Sequence, residues 1–220
     1  MQQSDMLNNF PTIGVTGITG SGTSTVSAIL EERGGYVIEA DKLAHDTMGK
    51  KEPAYAEIVN HFGKDILNAN CEINRRALGK KVFGDKEEMA RLEKIIHPAV
   101  VEKTRKIIEN LADNEEFTFA VIDAPLLIES GMNTLCDSIW LITAPDELRI
   151  QRVTARDGID ENAVRRRLQS RKGDTHLREH ANITIENDGS AIALRSKIEV
   201  ALKAMSLNRH GWRDMEVLEL

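Results

Sequence analysis

The amino-acid sequence predicts an α/β protein with a five-stranded parallel sheet in a three-layer α/β/α arrangement. Short apolar segments alternate with segments of helical periodicity, which is typical of a parallel sheet covered by helices on both faces. A glycine-rich stretch follows the first apolar segment, and an aspartate stands at or just beyond the end of the second and third. Because ligands of such sheets bind beyond the carboxyl ends of the strands, we expect a binding crevice there.

The glycine-rich stretch lies between the first predicted strand, residues 12–16, and a predicted helix that continues to residue 33. Residues 17–25, GITGSGTST, match the phosphate-binding pattern G-x-x-x-x-G-K-[ST] except that Thr23 replaces the lysine. Glycines let backbone N–H groups converge on one anion, and the helix N-terminus adds a partial positive charge. The order strand, glycine loop, helix predicts a P-loop NTPase-type fold that binds a nucleoside triphosphate. A flexible, N-capped turn is the alternative.

The loop residues predicted to contact the nucleotide phosphates are Gly17, Thr19, Gly20, Ser21, Gly22, Thr23, Ser24 and Thr25. The Ser24 hydroxyl takes the position of a Mg²⁺ ligand in this motif. The usual lysine neutralises the terminal phosphates, and losing one preorganised donor costs about 3–4 kcal/mol of transition-state stabilisation. With Thr23 in its place, we expect phosphate binding by the backbone to persist and catalysis to be weakened or moved to another cation.

Aspartates follow two of the predicted strands. Asp41 comes shortly after the strand at 36–39, where it could accept a proton from a hydroxyl that attacks a phosphate. Its alternative role is to cap the next helix. Asp123 ends the strand at 118–123, where a carboxylate usually holds Mg²⁺ opposite a glycine loop. The alternative for Asp123 is a turn aspartate before Pro125.

The remaining elements complete the sheet and add a helical insertion. This insertion is predicted from about residue 53 to residue 115, and His97-Pro98 is expected to begin a helix within it, because proline suits a first helical turn. The last two strands, the final helix and a tail without clear pattern are predicted over residues 138–143, 183–186, 191–205 and 206–220.

A basic helical stretch, about residues 157–180, separates the fourth and fifth predicted strands. Just before it, Arg152 and Arg156 lie four residues apart and therefore on one helix face, where they could clamp phosphate oxygens. Further arginines extend this cluster, namely Arg165, Arg166, Arg167 and Arg171. A solvated charged face is the alternative for these four.

Composition narrows the class of partner. The 220 residues carry a formal net charge of −6 with a pI of about 5.6, which argues against a nucleic-acid binder. No apolar run approaches a membrane span, and the polar residues 1–9 lack the apolar core of a signal peptide. Cys71 and Cys136 lie far apart, as expected of free thiols in a reducing compartment. We therefore expect a cytoplasmic protein acting on a small molecule, without nucleic-acid or membrane partners and in an unspecified oligomeric state.

Taken together, the motifs resemble those of the dephospho-coenzyme A kinase family from about residue 13 to residue 205. In chain order they are Gly14-Val15-Thr16-Gly17 leading into Gly20-Ser21-Gly22, Ile38-Glu39-Ala40-Asp41, His61-Phe62-Gly63, Asn74-Arg75-Arg76-Ala77-Leu78, Ile96-His97-Pro98, Ala124-Pro125-Leu126-Leu127-Ile128-Glu129, Arg152, Arg156-Asp157 and Glu186-Asn187-Asp188-Gly189. Each motif is weak by itself, but their order and spacing together are specific.

The resemblance implies phosphorylation of the ribose 3′-hydroxyl of dephospho-CoA by ATP with Mg²⁺, the final step of coenzyme A biosynthesis. It also implies three parts. A nucleotide-binding core would comprise residues 11–50, 117–156 and 181–207, a helical acceptor domain residues 51–116, and a lid residues 157–180.

The resemblance also implies roles for single residues. Asp41 corresponds by position to the catalytic base, and the loop residues from Thr19 to Ser24 correspond to the cradle for the ATP phosphates. Arg152 and Arg156 fall in the lid region as catalytic candidates. The positions that correspond to the acceptor site are Arg75, His97, Leu126, Leu127 and Glu129.

The sequence departs from the family pattern at four positions: Thr23 stands for the loop lysine, Glu39 for an aspartate, Arg171 for a glutamine and Asn182 for an aspartate. The first departure is the serious one, and we hypothesise that an arginine of the basic lid supplies the missing charge.

Two other functions stay open at this point. One is a catalytically weak or inactive relative that binds nucleotide or a CoA-like ligand in a regulatory role, which Thr23 favours. The other is a dinucleotide-binding domain, since Gly20-Ser21-Gly22 is followed about twenty residues later by an acid. Thr25 stands where that motif needs its third glycine, which argues against the dinucleotide domain.

Overall fold

The computed structural model describes residues 10–169, 175–207 and 217–220 of the chain. The chain forms two compact units. One comprises the residues up to Ile38 together with those from Leu111 onward, and the other is Glu39–Asn110. The first unit is built on the sheet, and the second is helical.

A six-stranded sheet with the order β2-β3-β1-β4-β5-β6 organises the first unit. Its strands are β1 (Thr12–Gly17), β2 (Gly35–Glu39), β3 (Phe119–Asp123), β4 (Ser138–Thr143), β5 (Ile183–Glu186) and β6 (Leu218–Glu219). The pairs β1–β3, β1–β4, β4–β5 and β5–β6 are parallel, which confirms the predicted fold class. Because β1 lies inside the sheet, the loop that follows it has neighbours on both sides.

The predicted number of five strands is wrong, because the end of the chain adds a sixth. The Leu218 and Leu220 amides donate to the carbonyls of Asn182 and Thr184 at 3.0 and 2.9 Å, and the Glu186 amide donates to the Leu220 carbonyl at 3.0 Å. Both leucine side chains also pack against the core. A strand of two residues has too little alternation to be recognised in sequence, and its neighbour β5 fixes its register.

Helices α1 (Thr23–Glu31), α6 (Asp146–Asp157), α7 (Glu161–Gln169), α8 (Thr175–Arg178) and α9 (Ala191–Leu207) belong to the first unit. Apolar residues of α1 and α9 share one core with β1, β3, β4 and β5, in which Leu30, Trp140 and Ile198 have no exposed surface. This packing fixes the start of α1 relative to the strand ends, since close-packed side chains tolerate little displacement.

The helical unit contains α2 (Ala40–Asp46), α3 (Pro53–Phe62), α4 (Arg75–Val82) and nearly all of α5 (Lys86–Leu111). It has a core of its own, formed by Ala54, Ile58, Phe62, Ile66, Leu78, Val82 and Ile95. Asn74 caps α4, since its side-chain oxygen accepts the amides of Arg76 and Ala77 at 3.1 Å each.

The predicted helix start at His97-Pro98 is wrong. Pro98 lies inside α5, which runs for 26 residues. An interior proline removes one backbone hydrogen bond and favours a kink or a break. Here buried residues on both sides of the proline, among them Ile95 and Val100, hold the helix together, so tertiary packing overrides the local signal.

The two cysteines form no disulfide. Cys71 is exposed, and Cys136 is buried, with its thiol donating to the Met132 carbonyl at 3.5 Å. Across the described ranges, no helix has the length and apolar character needed to cross a membrane.

Removing residues 217–220 is expected to destabilise the first unit, because β5 would lose its edge partner and the core would lose two leucine side chains. We expect a lower Tm, equivalent to about 1–3 kcal/mol of unfolding free energy. The matched control is Val217→Ala, since Val217 is 58% exposed and its loss should change Tm little. An unchanged Tm after truncation would contradict a structural role for β6.

Candidate active site

Close backbone approaches shape the glycine loop between β1 and α1. Gly20 and Gly22 have φ values of 86° and 97°, in the left-handed region that favours glycine. A Cβ atom on Gly17 would lie 2.5 Å from the Ile142 carbonyl oxygen, and one on Gly20 would lie 2.8 Å from that of Arg149. The glycines are therefore required both by the turn and by the neighbouring chain segments.

The start of α1 has the features of an anion site. Gly22 is the N-cap residue and has no side chain with which to cap the helix. The Thr25 and Val26 amides donate to the Gly22 carbonyl at 3.0 and 3.2 Å, while the first amides of a helix have no partner within it. The Ser21 hydroxyl is buried and has no hydrogen-bond partner among the described residues. An uncapped helix start beside an unpartnered buried hydroxyl fits a phosphate ligand.

Hydrogen bonds hold three consecutive loop carbonyls from the side of α6 and β5. Arg149 Nε donates to the Thr19 carbonyl at 3.1 Å, and Arg152 Nη1 makes longer bonds, 3.4 and 3.3 Å, to the Gly20 and Ser21 carbonyls. In a trans peptide, the C=O and the N–H point in opposite directions. Fixing the carbonyls outward therefore directs the Gly20 and Gly22 amides to the other side of the loop.

Asn187 completes this arrangement from the end of β5. Its side-chain amide donates to the Ser21 carbonyl at 2.8 Å, and its backbone amide donates to the Thr143 carbonyl at 2.8 Å. Arg152 Nη2 in turn donates to the backbone and side-chain oxygens of Asn187 at 3.1 and 3.2 Å. Loop, α6 and the end of β5 thus form one connected hydrogen-bond network.

Sequence reasoning did not assign functional roles to Arg149 and Asn187. Arg149 lies three residues before Arg152, which puts the two on one helix face, and this spacing was an available signal. Asn187 was visible only as part of a family motif. Its contact to Ser21 joins residues 166 positions apart, which local patterns cannot reveal.

Thr23 is the first residue of α1 and is half-buried. Its methyl carbon lies 3.2 Å from the position that a Cβ on Gly17 would take, so the side chain lies against the loop. It brings no charge to the site. Among the described residues, the cationic side chains seen to hydrogen-bond the loop are those of Arg149 and Arg152.

Asp123 lies at the carboxyl end of β3, beside β1. Its Oδ2 accepts a hydrogen bond from the Ser27 hydroxyl at 2.9 Å, and Ser27 is buried on α1. Ser27 follows Ser24 by three residues, so both lie on the same side of α1. Ser27, which sequence reasoning also missed, therefore ties the carboxylate of β3 to the helix that carries the proposed metal ligand.

Arg156 and Arg165 pair with carboxylates. Arg156 Nε and Nη2 bond both oxygens of its neighbour Asp157 at 2.6 and 3.1 Å, and these hydrogen bonds raise the pKa of Arg156. Arg165 binds Glu147 and Glu161, which raises the pKa of Arg165 and lowers that of Glu147. Arg166 is exposed, whereas the side chain of Arg167 and all of Arg171 lie outside the described residues.

The segment after β3 divides into exposed and buried positions. Leu126 and Glu129 are exposed. Leu127 is fully buried, and a Cβ on Gly14 would lie 2.7 Å from one of its methyl groups. Solvent therefore reaches Leu126 and Glu129, while Leu127 packs beneath them.

In the helical unit, Asp41 is exposed in the first turn of α2. Glu39 takes the N-cap position and pairs with Lys42 at 2.5 Å, so the alternative that Asp41 is an N-cap is wrong. An acidic residue in the first turn is still favoured by the helix dipole. His97 is half-buried in the middle of α5.

A cleft of about 640 Å³ lies within the helical unit. Arg75, the first residue of α4, lines it together with Lys50, Lys51 and Lys103. Lys103 is paired with Glu52 at 2.9 Å. Three carboxylates also line the cleft, namely Asp46, Glu52 and Glu72, and the four cations outnumber them by one. The cleft is large enough for a small molecule, and its cations can pair with an anionic group.

Comparison with known proteins agrees with this geometry. A family model described as dephospho-CoA kinase matches residues 11–193. A dephospho-CoA kinase of Carboxydothermus hydrogenoformans is 36% identical over 204 residues, which cover 93% of this chain and 96% of that protein.

Solved structures are similar too. A dephospho-CoA kinase from Campylobacter jejuni superposes with a TM-score of 0.66 at 28% identity, covering 90% of this chain and 98% of its own. A shikimate kinase from Acinetobacter baumannii gives a TM-score of 0.51 at 19% identity, covering 94% of this chain and 99% of its own. The second likeness concerns the fold alone.

Gly20→Ala is expected to weaken adenine nucleotide binding at least tenfold, because its Cβ would displace the loop from the Arg149 carbonyl. Gly158→Ala is the matched control. Gly158 also has a positive φ, 65°, but a Cβ there would meet nothing within 4 Å. Both variants place a side chain at a positive φ, so calorimetric titration with ADP shows whether such a change must lie in the loop to weaken binding. Equal ADP affinities for the two variants would contradict this expectation.

Proposed function

The chain belongs to the dephospho-CoA kinase family, and we propose that it transfers the γ-phosphoryl group of ATP to the 3′-hydroxyl of dephospho-CoA despite its Thr23 loop. The supporting observation is that the cradle is built from main chain. Side chains hold the loop carbonyls outward, and the start of α1 is uncapped. Backbone amides bind phosphate without the help of a lysine. This reaction gives coenzyme A, and the family places the enzyme in coenzyme A biosynthesis.

We assign the phosphates of ATP to the loop residues from Gly17 to Thr25. Mg²⁺ would be held by the Ser24 hydroxyl and Asp123, and it would neutralise phosphate charge when bound. The oxygen-donor character of both groups fits this ion. The hydrogen bond from Ser27 supports the assignment, since it fixes the orientation of the Asp123 carboxylate.

Asp41 is the proposed base. The 3′-hydroxyl oxygen attacks the γ-phosphorus, the bond from that phosphorus to the ADP oxygen breaks, and the hydroxyl proton passes to the Asp41 carboxylate. The exposed position of Asp41 allows a substrate hydroxyl to approach it.

We propose that the helical insertion, residues 51–116, binds the acceptor. The cleft lined by Arg75, Lys50 and Lys51 would bind the diphosphate of dephospho-CoA, because these cations complement its charge. His97, Leu126, Leu127 and Glu129 are the further acceptor candidates, and among the last three the exposed Leu126 and Glu129 are the accessible ones.

Residues 157–180 would form the lid. Arg156 would release the Asp157 carboxylate and donate to oxygens of the γ-phosphate instead. One bidentate partner would thereby replace another. Arg152 would keep its place at the loop, where its bonds to three backbone carbonyls hold it.

The reaction itself is tested with dephospho-CoA, Mg²⁺ and ATP, by measuring ADP and the 3′-phosphorylated product. We expect product from the unaltered chain and a gain in kcat of roughly ten- to a thousandfold from Thr23→Lys, because the lysine adds a preorganised charge. Thr23→Met is the matched control, with a long side chain and no charge, and should give no gain. ATP binding without product would favour the regulatory alternative instead.

Arg156→Ala is expected to lower kcat by roughly a hundredfold, because a charged donor to the transferred group is lost. Arg165→Ala is the control on the neighbouring helix, since Arg165 is engaged by Glu147 and Glu161. Steady-state kinetics of the two variants test whether Arg156, which directly precedes the lid, supplies the missing charge. An unchanged rate in Arg156→Ala would show that it does not.

A further inference from the structure

Arg149 is a buried cation beside the loop. Only 7% of the residue is exposed, although it carries a full charge. Its Nη1 pairs with Asp146 Oδ1 at 2.6 Å, and its Nε donates to the Thr19 carbonyl at 3.1 Å. The side chain of Asp146 is 80% exposed, so water screens the ion pair. Burying a guanidinium is costly unless its donors are used, and the loop carbonyl is one of the two acceptors seen for it.

The backbone of Arg149 contacts the same loop. A Cβ on Gly20 would lie 2.8 Å from the Arg149 carbonyl oxygen and 3.1 Å from its Cα. The first turns of α6 therefore approach the loop through both the main chain and the side chain of this one residue. The peptide between Thr19 and Gly20 is held on two sides.

This contact acts on the phosphate-binding face. With the Thr19 carbonyl fixed toward Arg149, the Gly20 amide of the same trans peptide points away from it. The Arg149 guanidinium also polarises this peptide, because it donates a charged hydrogen bond to the carbonyl. The polarised Gly20 amide is then a stronger donor. The positive charge of Arg149 would thus act on a phosphate through the polarised peptide, without direct contact between its side chain and the phosphate.

We propose that Arg149 is a positioning residue that locks and polarises the Thr19–Gly20 peptide for phosphate binding, in a loop that lacks the usual lysine. The proposal rests on the proposed function, because it concerns the same nucleotide site. Arg149 does not need to touch the nucleotide. Its effect should therefore appear mainly in nucleotide affinity and less in the rate of the bound complex.

A series at position 149 separates charge, hydrogen bond and packing. Arg149→Lys keeps the charge and a donor group without the planar guanidinium, Arg149→Gln keeps a neutral donor, and Arg149→Met keeps only the apolar stem. Asp146→Asn removes the ion pair and leaves the bond to the Thr19 carbonyl. Arg195→Gln is the control arginine, which lies on α9 and pairs with Glu32.

The measurements are ADP affinity by calorimetry, KM for ATP, kcat, and the thermal unfolding midpoint without ligand. For Arg149→Met we expect ADP affinity to fall and KM to rise by roughly 10- to 100-fold, with a smaller change in kcat. Arg149→Lys should retain more ADP affinity than Arg149→Gln. Asp146→Asn and Arg195→Gln should stay within about threefold of the unaltered chain.

Three results would overturn the proposal. The first is an Arg149→Met variant that binds ADP like the unaltered chain. The second is a loss of ADP affinity in Asp146→Asn as large as in Arg149→Met. The third is a lower unfolding midpoint in the Lys and Gln variants without weaker ADP binding. If Arg149→Met does not fold, the Lys and Gln variants still decide. Failure of the proposed function is distinct: the unaltered chain would then bind ADP but make no phosphorylated product, and the affinity series would still test Arg149.

Discussion

The proposed phosphate-binding face of this protein depends on how three consecutive loop carbonyls are held. Arg149, Arg152 and Asn187 donate to the carbonyls of Thr19, Gly20 and Ser21 from one side. Because each trans peptide directs its N–H opposite to its C=O, these bonds orient the Gly20 and Gly22 amides before any ligand arrives, whereas the Ser21 amide donates to the Ile18 carbonyl at 3.0 Å. Preorganised dipoles stabilise the charge of a bound group without having to reorient during the reaction. Backbone amides that are fixed in advance can therefore stabilise this charge strongly.

The sheet order explains how these groups come together. β1 lies between β3 and β4, and β5 follows β4. β3 ends at Asp123, β4 leads into α6 with its arginines, and β5 ends beside Asn187. In a parallel sheet all carboxyl ends meet at one edge, so each neighbour delivers one component to the loop. β6 supports the edge of β5 and thereby the strand that carries Asn187.

The arginines near the loop fall into two groups according to their hydrogen-bond partners. Arg149 and Arg152 donate to loop carbonyls, whereas Arg156 and Arg165 pair with carboxylates. The first pair acts through the backbone at fixed positions. The second is exposed enough to exchange partners, since exposed ion pairs contribute little stability. Lysine in the loop would combine a fixed position with direct charge, and under the proposed function these two roles lie on different side chains.

The family, the parallel α/β class, the loop and its helix were all predictable from sequence, because they rest on local signals. Glycine spacing, apolar periodicity and the position of Asp123 after its strand depend on neighbours within a few residues. The sixth strand and the uninterrupted helix through Pro98 were not predictable, because packing decided them against weak or contrary local patterns. The contacts of Arg149, Ser27 and Asn187 also emerged only in three dimensions. Their partners lie 130, 96 and 166 residues away along the chain, and no periodicity connects such distant groups.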